Sequence, residues 1–129
     1  MRKSLTRRER LRGAAALKKV FTVPRKITCS GAGLFAAENG LEYNRVVVSP
    51  VRRYGGSVER NRARRIGKEV YRCIKSSIKP GFDLAFILLP AGRSGLSGTR
   101  QRSSGDFSYG ERIAQFSVLL KKAGILLEV

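Results

Sequence analysis

Between a break at Gly55-Gly56-Ser57 and a stop at Pro80-Gly81 lies one segment with little freedom in how it can fold. Ser57 is a suitable N-cap residue, and the pattern predicts a helix from about Val58 to Ser77. At about 100° per residue, Ile66, Val70, Cys73 and Ile74 fall on one stripe. Asn61, Arg64, Arg65, Lys68, Arg72 and Lys75 fall on another, roughly opposite. One side of such a helix is committed to an apolar core and the other to something outside it. Solvated helices usually mix acids with bases so that i,i+4 pairs can form, and only Glu59 and Glu69 offer that here. Like charges one turn apart oppose each other, and a polyanion removes the conflict. Arginine also suits planar, bidentate capture of phosphate better than lysine does. Two residues fit the pattern poorly. Arg62 falls near the apolar stripe, and Gly67 in mid-helix costs about 1 kcal/mol relative to alanine. Either a close approach of backbone or RNA excludes a side chain at Gly67, or the cost is simply tolerated.

The whole chain carries the same imbalance. Lys and Arg total 27 against 9 Asp and Glu, a net charge of +18. An excess of that size asks for an anionic partner: nucleic acid, a membrane surface or an acidic protein. No segment is apolar enough to span a bilayer. Ala14–Leu17 is too short for a signal-peptide core and is ended by Lys18 and Lys19. The expected location is the cytoplasm, with no membrane partner, and the abundant polyanions there are phosphate backbones. Arg2, Lys3, Arg7, Arg8, Arg10 and Arg12 make a basic run that, taken alone, reads as a solvated tail.

Histidine is absent, which removes the commonest general acid–base and the commonest zinc ligand. Tryptophan is absent too, so stacking on bases would fall to Phe, Tyr or Arg. Cys29 and Cys73 are far apart and read as two small buried residues. Glu9, Glu38, Glu42, Glu59, Glu69, Asp83, Asp106, Glu111 and Glu128 are scattered, and nothing groups them as a metal site or general base. No catalytic residue and no metal ligand is therefore expected in the protein. No helix-turn-helix or zinc pattern points to DNA.

The length, 129 residues, suits a single domain, here expected to bind RNA over residues 1–129. An amphipathic helix through Leu11, Leu17, Val20 and Phe21 is ended by Pro24. Residues 27–37 read as a weak strand region in which Gly31 and Gly33 mark either a bulge or a close approach. Asn39-Gly40 is a turn signal, and Arg45–Ser49 a strand whose three valines suggest burial on both faces. Phe82–Leu89 is another strand, ended by Pro90. Val47 and Ile87 are expected in the core. Residues 92–108, rich in Gly, Ser and Arg, read as a mobile loop. Glu111–Ala123 is a final helix presenting Ile113, Phe116, Leu119 and Leu120, with Gly124 as its C′ residue. The order predicts an α+β fold of two layers: a small, mostly antiparallel sheet with helices on one face.

The run Arg60, Asn61, Arg62, Arg64, Arg65, Lys68, Glu69, Tyr71 and Arg72 resembles the signature helix of the bacterial ribonuclease P protein component family. Val48-Ser49, Arg52-Arg53, Gly55 and Val58 upstream are similar to that family as well. So are Arg8-Glu9-Arg10-Leu11, Val20-Phe21, Asp83-Leu84, Pro90-Ala91-Gly92 and Leu119–Gly124, in the family's order along nearly the whole chain. The resemblance implies a sandwich with a left-handed βαβ crossover carrying the basic helix. It implies a protein subunit that assists removal of the 5′ leader from precursor tRNA, with the hydrolysis performed by a catalytic RNA and its magnesium ions.

By the same resemblance Arg60, Asn61, Arg62, Arg64, Arg65, Lys68 and Arg72, with Arg52 and Arg53, contact the catalytic RNA. Leu17, Phe21, Lys26 and Phe35 line a cleft for the leader of precursor tRNA. Leu17 stands where the family usually has an aromatic, and Leu89 where it often has arginine. The 92–108 loop is longer than usual, and its Arg93, Arg100 and Arg102 either add phosphate contacts or belong to a disordered insertion. Read without the resemblance, Phe21 and Phe35 would be core residues. A structural RNA-binding protein, such as a ribosomal protein, shares the charge without needing the cleft.

Overall fold

The computed structural model describes residues 9–11, 13–22, 26–51, 54–90 and 107–126. The elements are α1 (Ala14–Phe21), β1 (Lys26–Cys29), β2 (Ala32–Glu38), β3 (Arg45–Pro50), α2 (Ser57–Ile74), β4 (Phe82–Leu88) and α3 (Tyr109–Ala123). A short 3-10 turn, Lys75–Ser77, extends α2. The sheet has the order β1-β2-β4-β3. β1/β2 and β2/β4 are antiparallel, and β3/β4 are parallel. The parallel pair is joined through α2, so the basic helix is the crossover of a βαβ unit.

The weak strand region at 27–37 is a hairpin. Cys29 pairs with Ala32, leaving Ser30-Gly31 as a two-residue turn. Gly31 has φ +90, a conformation that glycine adopts without a Cβ penalty. A Cβ there would also meet Gln115 Nε2 at 2.6 Å and the Phe107 ring at 2.7 Å.

Alternation along the strands builds two apolar faces. Ala32, Leu34, Ala36, Val46, Val48, Leu84, Phe86 and Leu88 meet α2 and α3 in the main core. There Phe86 stacks on Phe116 with ring centroids 4.1 Å apart. Phe35, Ala37, Val47 and Ala85 point the other way and are covered by Leu11, Leu17 and Val20. The α+β class, the mostly antiparallel sheet and the crossover helix are as expected. Packing on one face holds for α2 and α3, whereas α1 lies against the opposite face. The apolar residues at odd positions of β2, β3 and β4 require that cover.

The same parity corrects two core residues. Val46 and Val48 are in the main core, while Val47 is half-buried beneath α1. Ile87 is half-buried and belongs to neither cluster. A continuous apolar run carries no phase information, so the sequence could not choose between neighbours.

The buried side of α2 is Ala63, Gly67, Val70 and Tyr71. Ile66 and Ile74 are half-buried, and Cys73, expected in the core, is exposed. Cys29 is half-buried rather than buried. The helix is rotated toward its smallest residues because they let it sit closest to the sheet. A Cβ on Gly67 would lie 2.6 Å from Val48 Cγ1. Tyr71 is 1 % exposed and hydrogen-bonds Asn44, whose Oδ1 accepts from the Phe82 N–H at 2.8 Å. Burial, with the Glu9 carboxylate nearby, pushes the Tyr71 phenol well above its usual range.

Helix ends follow local chemistry. Gly56, not Ser57, precedes α2, and its N–H donates to Glu59 Oε1 at 3.0 Å. α3 starts two residues before the expected Glu111. Ser108 Oγ accepts from the Glu111 N–H at 3.1 Å, and the Ser108 N–H donates to Glu111 Oε1 at 2.7 Å. Gly124 closes α3 in the left-handed conformation, as expected. Of the 92–108 stretch, only 107 and 108 are among the described residues; the expected loop otherwise lies outside them.

Arg112, in the first turns of α3, is 1 % exposed. Its Nη1 donates to Gly31 O at 2.8 Å and Gln115 Oε1 at 2.7 Å. Its Nη2 donates to the Tyr54 hydroxyl and to Leu89 O, both at 3.0 Å. The Phe107 ring lies 4.7 Å from the guanidinium carbon. One side chain thus ties α3 to the β1–β2 turn, the end of β4 and the segment just before the start of α2.

Candidate nucleic-acid interface

The outer side of α2 carries the cations that the sequence placed there. Asn61, Arg62 and Arg65 are exposed, and Arg60, Arg64, Lys68 and Arg72 are half-buried. Arg62, read as near the apolar stripe, belongs to the outer side once the helix is rotated. Arg64 Nη1 donates to Asn61 Oδ1 at 2.8 Å, and Arg72 Nη2 contacts both Glu69 oxygens at 2.7 and 2.9 Å. Arg52 and Arg53 lie outside the described residues.

Residues 9–11 are part of the same surface. The Leu11 N–H donates to Val46 O at 2.9 Å, and Arg10 bridges to Val46 in parallel fashion along the free edge of β3. Glu9 Oε1 lies 3.0 Å from Lys75 Nζ on the far end of the crossover. Docked this way, Arg10 joins Arg64 and Lys68 around a recess of about 190 Å³ floored by Leu11, Val46, Val47 and Val48. Among the described residues no acid lines it. Burial and the positive charges of Arg10 and Arg64 hold the Lys68 amine below its usual 10.5. Three cations crowded over an apolar floor favour an incoming oxyanion, because it relieves their mutual repulsion.

Arg10 is the residue that sequence reasoning passed over, since a basic run alone reads as tail. The signal was Leu11, an apolar residue directly after the charges, which anchors the segment at 3 % exposure.

Leu17, Phe21, Lys26 and Phe35 come together on the α1 side of the sheet. Lys26 and Phe35 are register partners in β1 and β2, and the Lys26 ammonium lies 5.5 Å from the centre of the Phe35 ring. Phe21 meets Phe35 edge-on, with centroids 5.0 Å apart. Leu17 and Phe35 are half-buried against Leu11, Val20 and Ala85, whereas Phe21 is 38 % exposed at the end of α1. The site therefore offers an aromatic edge, an apolar wall and one cation.

Five of the acids serve elsewhere. Asp83, buried, accepts from Arg45 Nε at 2.8 Å, Arg45 Nη2 at 2.7 Å and Asn39 Nδ2 at 2.9 Å. That pairing raises the Arg45 guanidinium above its ordinary value. Glu59 and Glu111 cap helices, and Glu9 and Glu69 pair with cations. Among the described residues no three His, Cys, Asp or Glu side chains gather as metal ligands would.

Comparison with known proteins gives a consistent result. A family model described as Ribonuclease P matches residues 5–102. The ribonuclease P protein component of Thermoanaerobacter sp. strain X514 is 37% identical over 70 residues, 54% of this chain and 60% of that protein. The chain thus matches less than two thirds of that relative's length. The ribonuclease P protein component of Clostridium botulinum strain Loch Maree is 37% identical over 93 residues, 71% of this chain and 73% of that protein. Among solved structures, the RNase P protein from Thermotoga maritima superposes with a TM-score of 0.69 at 25% identity, covering 88% of this chain and 96% of its own. The Staphylococcus aureus RNase P protein gives 0.71 at 17% identity, covering 92% and 97%, a likeness of fold alone.

Proposed function

The chain belongs to the ribonuclease P protein family, and we propose that it is the protein subunit of a ribonucleoprotein endonuclease that removes the 5′ leader from precursor tRNA. The observation that carries the reading is the joining of Arg10 to the basic side of α2. Arg10 from the N-terminal segment and Arg64 and Lys68 from α2 converge on one recess, with no acid among its described lining residues. In this reading Arg60, Asn61, Arg62, Arg64, Arg65, Lys68 and Arg72, with Arg52 and Arg53, grip the phosphates of the catalytic RNA.

On the other side of the sheet, Leu17, Phe21, Lys26 and Phe35 receive the single-stranded leader. Aromatic edges tolerate any base, and Lys26 meets the backbone charge. The two partners therefore meet separate surfaces, one beside the β3 edge and one at β1 and β2.

Phosphodiester hydrolysis belongs to the RNA subunit, whose magnesium ions supply the metal-assisted chemistry. The commitment of Glu9, Glu59, Glu69, Asp83 and Glu111 to caps and ion pairs supports that division of labour. The protein's contribution is binding and positioning, over a single RNA-binding domain acting in the cytoplasm. Among the described residues no helix is long and apolar enough to cross a membrane.

The test is reconstitution of the purified protein with a bacterial ribonuclease P RNA at low magnesium, following cleavage of a leader-bearing precursor. Strong stimulation, with no cleavage by the protein alone, is the expected result. Tight RNA binding without stimulation would instead make the chain a structural RNA-binding protein.

A further inference from the structure

A second recess lies on the flank of α2 away from Arg10. Arg62, Arg65, Ile66 and Glu69 of α2 line it together with Tyr109, the first residue of α3. Tyr109 is 40 % exposed, one of few large apolar side chains among the described residues that open to solvent. Its ring is nevertheless fixed in place. The Ser108–Glu111 capping pair sets the start of α3, and the Tyr109 phenol lies beside the Cys73 side chain on α2. An aromatic ring is thus held at the surface by two helices instead of being used in the core. Glu69, the one acid among the described residues lining the recess, is already paired with Arg72 at 2.7 Å.

We propose that Tyr109, Arg62 and Arg65 form a seat for one unpaired nucleotide of a bound RNA, with the base on the Tyr109 ring and the phosphate on the two guanidinium groups. An exposed ring beside two forked cations and an apolar wall matches a base and its phosphate together. Bases in a duplex have no free face, so the occupant is single-stranded. The seat lies on the α2–α3 side of the sheet, whereas Phe21 and Phe35 lie on the α1 side. It therefore reads a different stretch of RNA from the leader cleft. The inference rests on the RNA-binding reading above.

The chain has no tryptophan, so Tyr109→Trp introduces a single fluorescent reporter. The full-length variant would be titrated with an unstructured oligouridylate and with an RNA duplex of equal length. Saturable quenching by the single strand, and much less by the duplex, is expected. In parallel, Tyr109→Ala should weaken oligouridylate binding about tenfold at an unchanged salt slope, because a stacking interaction releases no counterions. Tyr109→Phe, which keeps the ring and the Ser108–Glu111 cap that positions it, should bind like the unsubstituted protein. Full binding with an unquenched tryptophan, or Tyr109→Ala binding like the parent with its helix content intact, would overturn the seat while leaving the RNA reading standing. If the unsubstituted protein binds neither RNA, the RNA reading fails and the seat falls with it.

Discussion

At Gly67 the missing side chain sets how close α2 can come to the sheet. By intrinsic propensity, Gly67→Ala should gain about 1 kcal/mol in a helix. The added methyl would stand 2.6 Å from Val48 Cγ1, with Leu88 Cδ1 at 3.5 Å behind it. Overpacking of that kind costs about 1–3 kcal/mol, so we expect Gly67→Ala to be destabilising despite the propensity gain. Urea denaturation followed by circular dichroism measures it, and an unchanged or raised midpoint would show that α2 has room to move. The sequence posed this question and left both answers open. The approach of Val48 decides it, because the pairing of a helix residue with a strand residue is a tertiary fact.

At the scale of elements, the joints matter more than the elements themselves. Arg112 holds three of them through four acceptors in a fork, and none of those four is a carboxylate. Lysine keeps the charge but cannot reproduce the fork. Arg112→Lys should therefore leave buried acceptors unpaired and cost at least about 2 kcal/mol. A denaturation midpoint equal to the parent's would mean that charge alone suffices at this joint. The junction of α1 with the hairpin behaves differently. Phe21 is partly exposed and touches Phe35 by its edge, so Phe21→Ala should cost stability only on the order of 1 kcal/mol. Its larger effect should fall on the leader: binding of leader-bearing precursor should weaken by about 1–3 kcal/mol, with mature tRNA unaffected. Equal weakening for both RNAs, measured with the reconstituted complex, would argue against a leader cleft.

For the whole molecule the net charge is +18, and three of its cations, Arg10, Arg64 and Lys68, converge where two distant sequence segments meet. Arg64→Ala combined with Arg65→Ala should weaken binding to ribonuclease P RNA and make its salt dependence shallower, by roughly one unit of slope for each phosphate no longer neutralised. Both residues are on the solvent side of α2, so the fold should survive. Binding isotherms across a salt series test this. A parent-like slope in the double variant would remove these two arginines from the proposed phosphate-gripping face.

Periodicity and charge are local properties, and they alone determined a good deal: the seven main elements apart from the hairpin's division, the basic side of α2 and the Gly124 stop. Binary patterns survive in the fold because each helix or strand must bury one side. What only the tertiary structure decided concerns phase and distance. Parity along β3 and β4 put Val46, Val48, Leu84 and Phe86 under α2 and α3, and left Val47 for α1. Close packing turned α2 onto Gly67 and Ala63 and pushed Cys73 outward. Pairing of Leu11 with Val46 carried Arg10 to Arg64 and Lys68, far away in sequence. Arg112 shows the same limit, since nothing in its neighbours forecasts burial among Gly31, Tyr54 and Leu89. A sequence specifies which residues need burial or a counter-charge; which residues supply them depends on chain segments brought together only when the sheet closes.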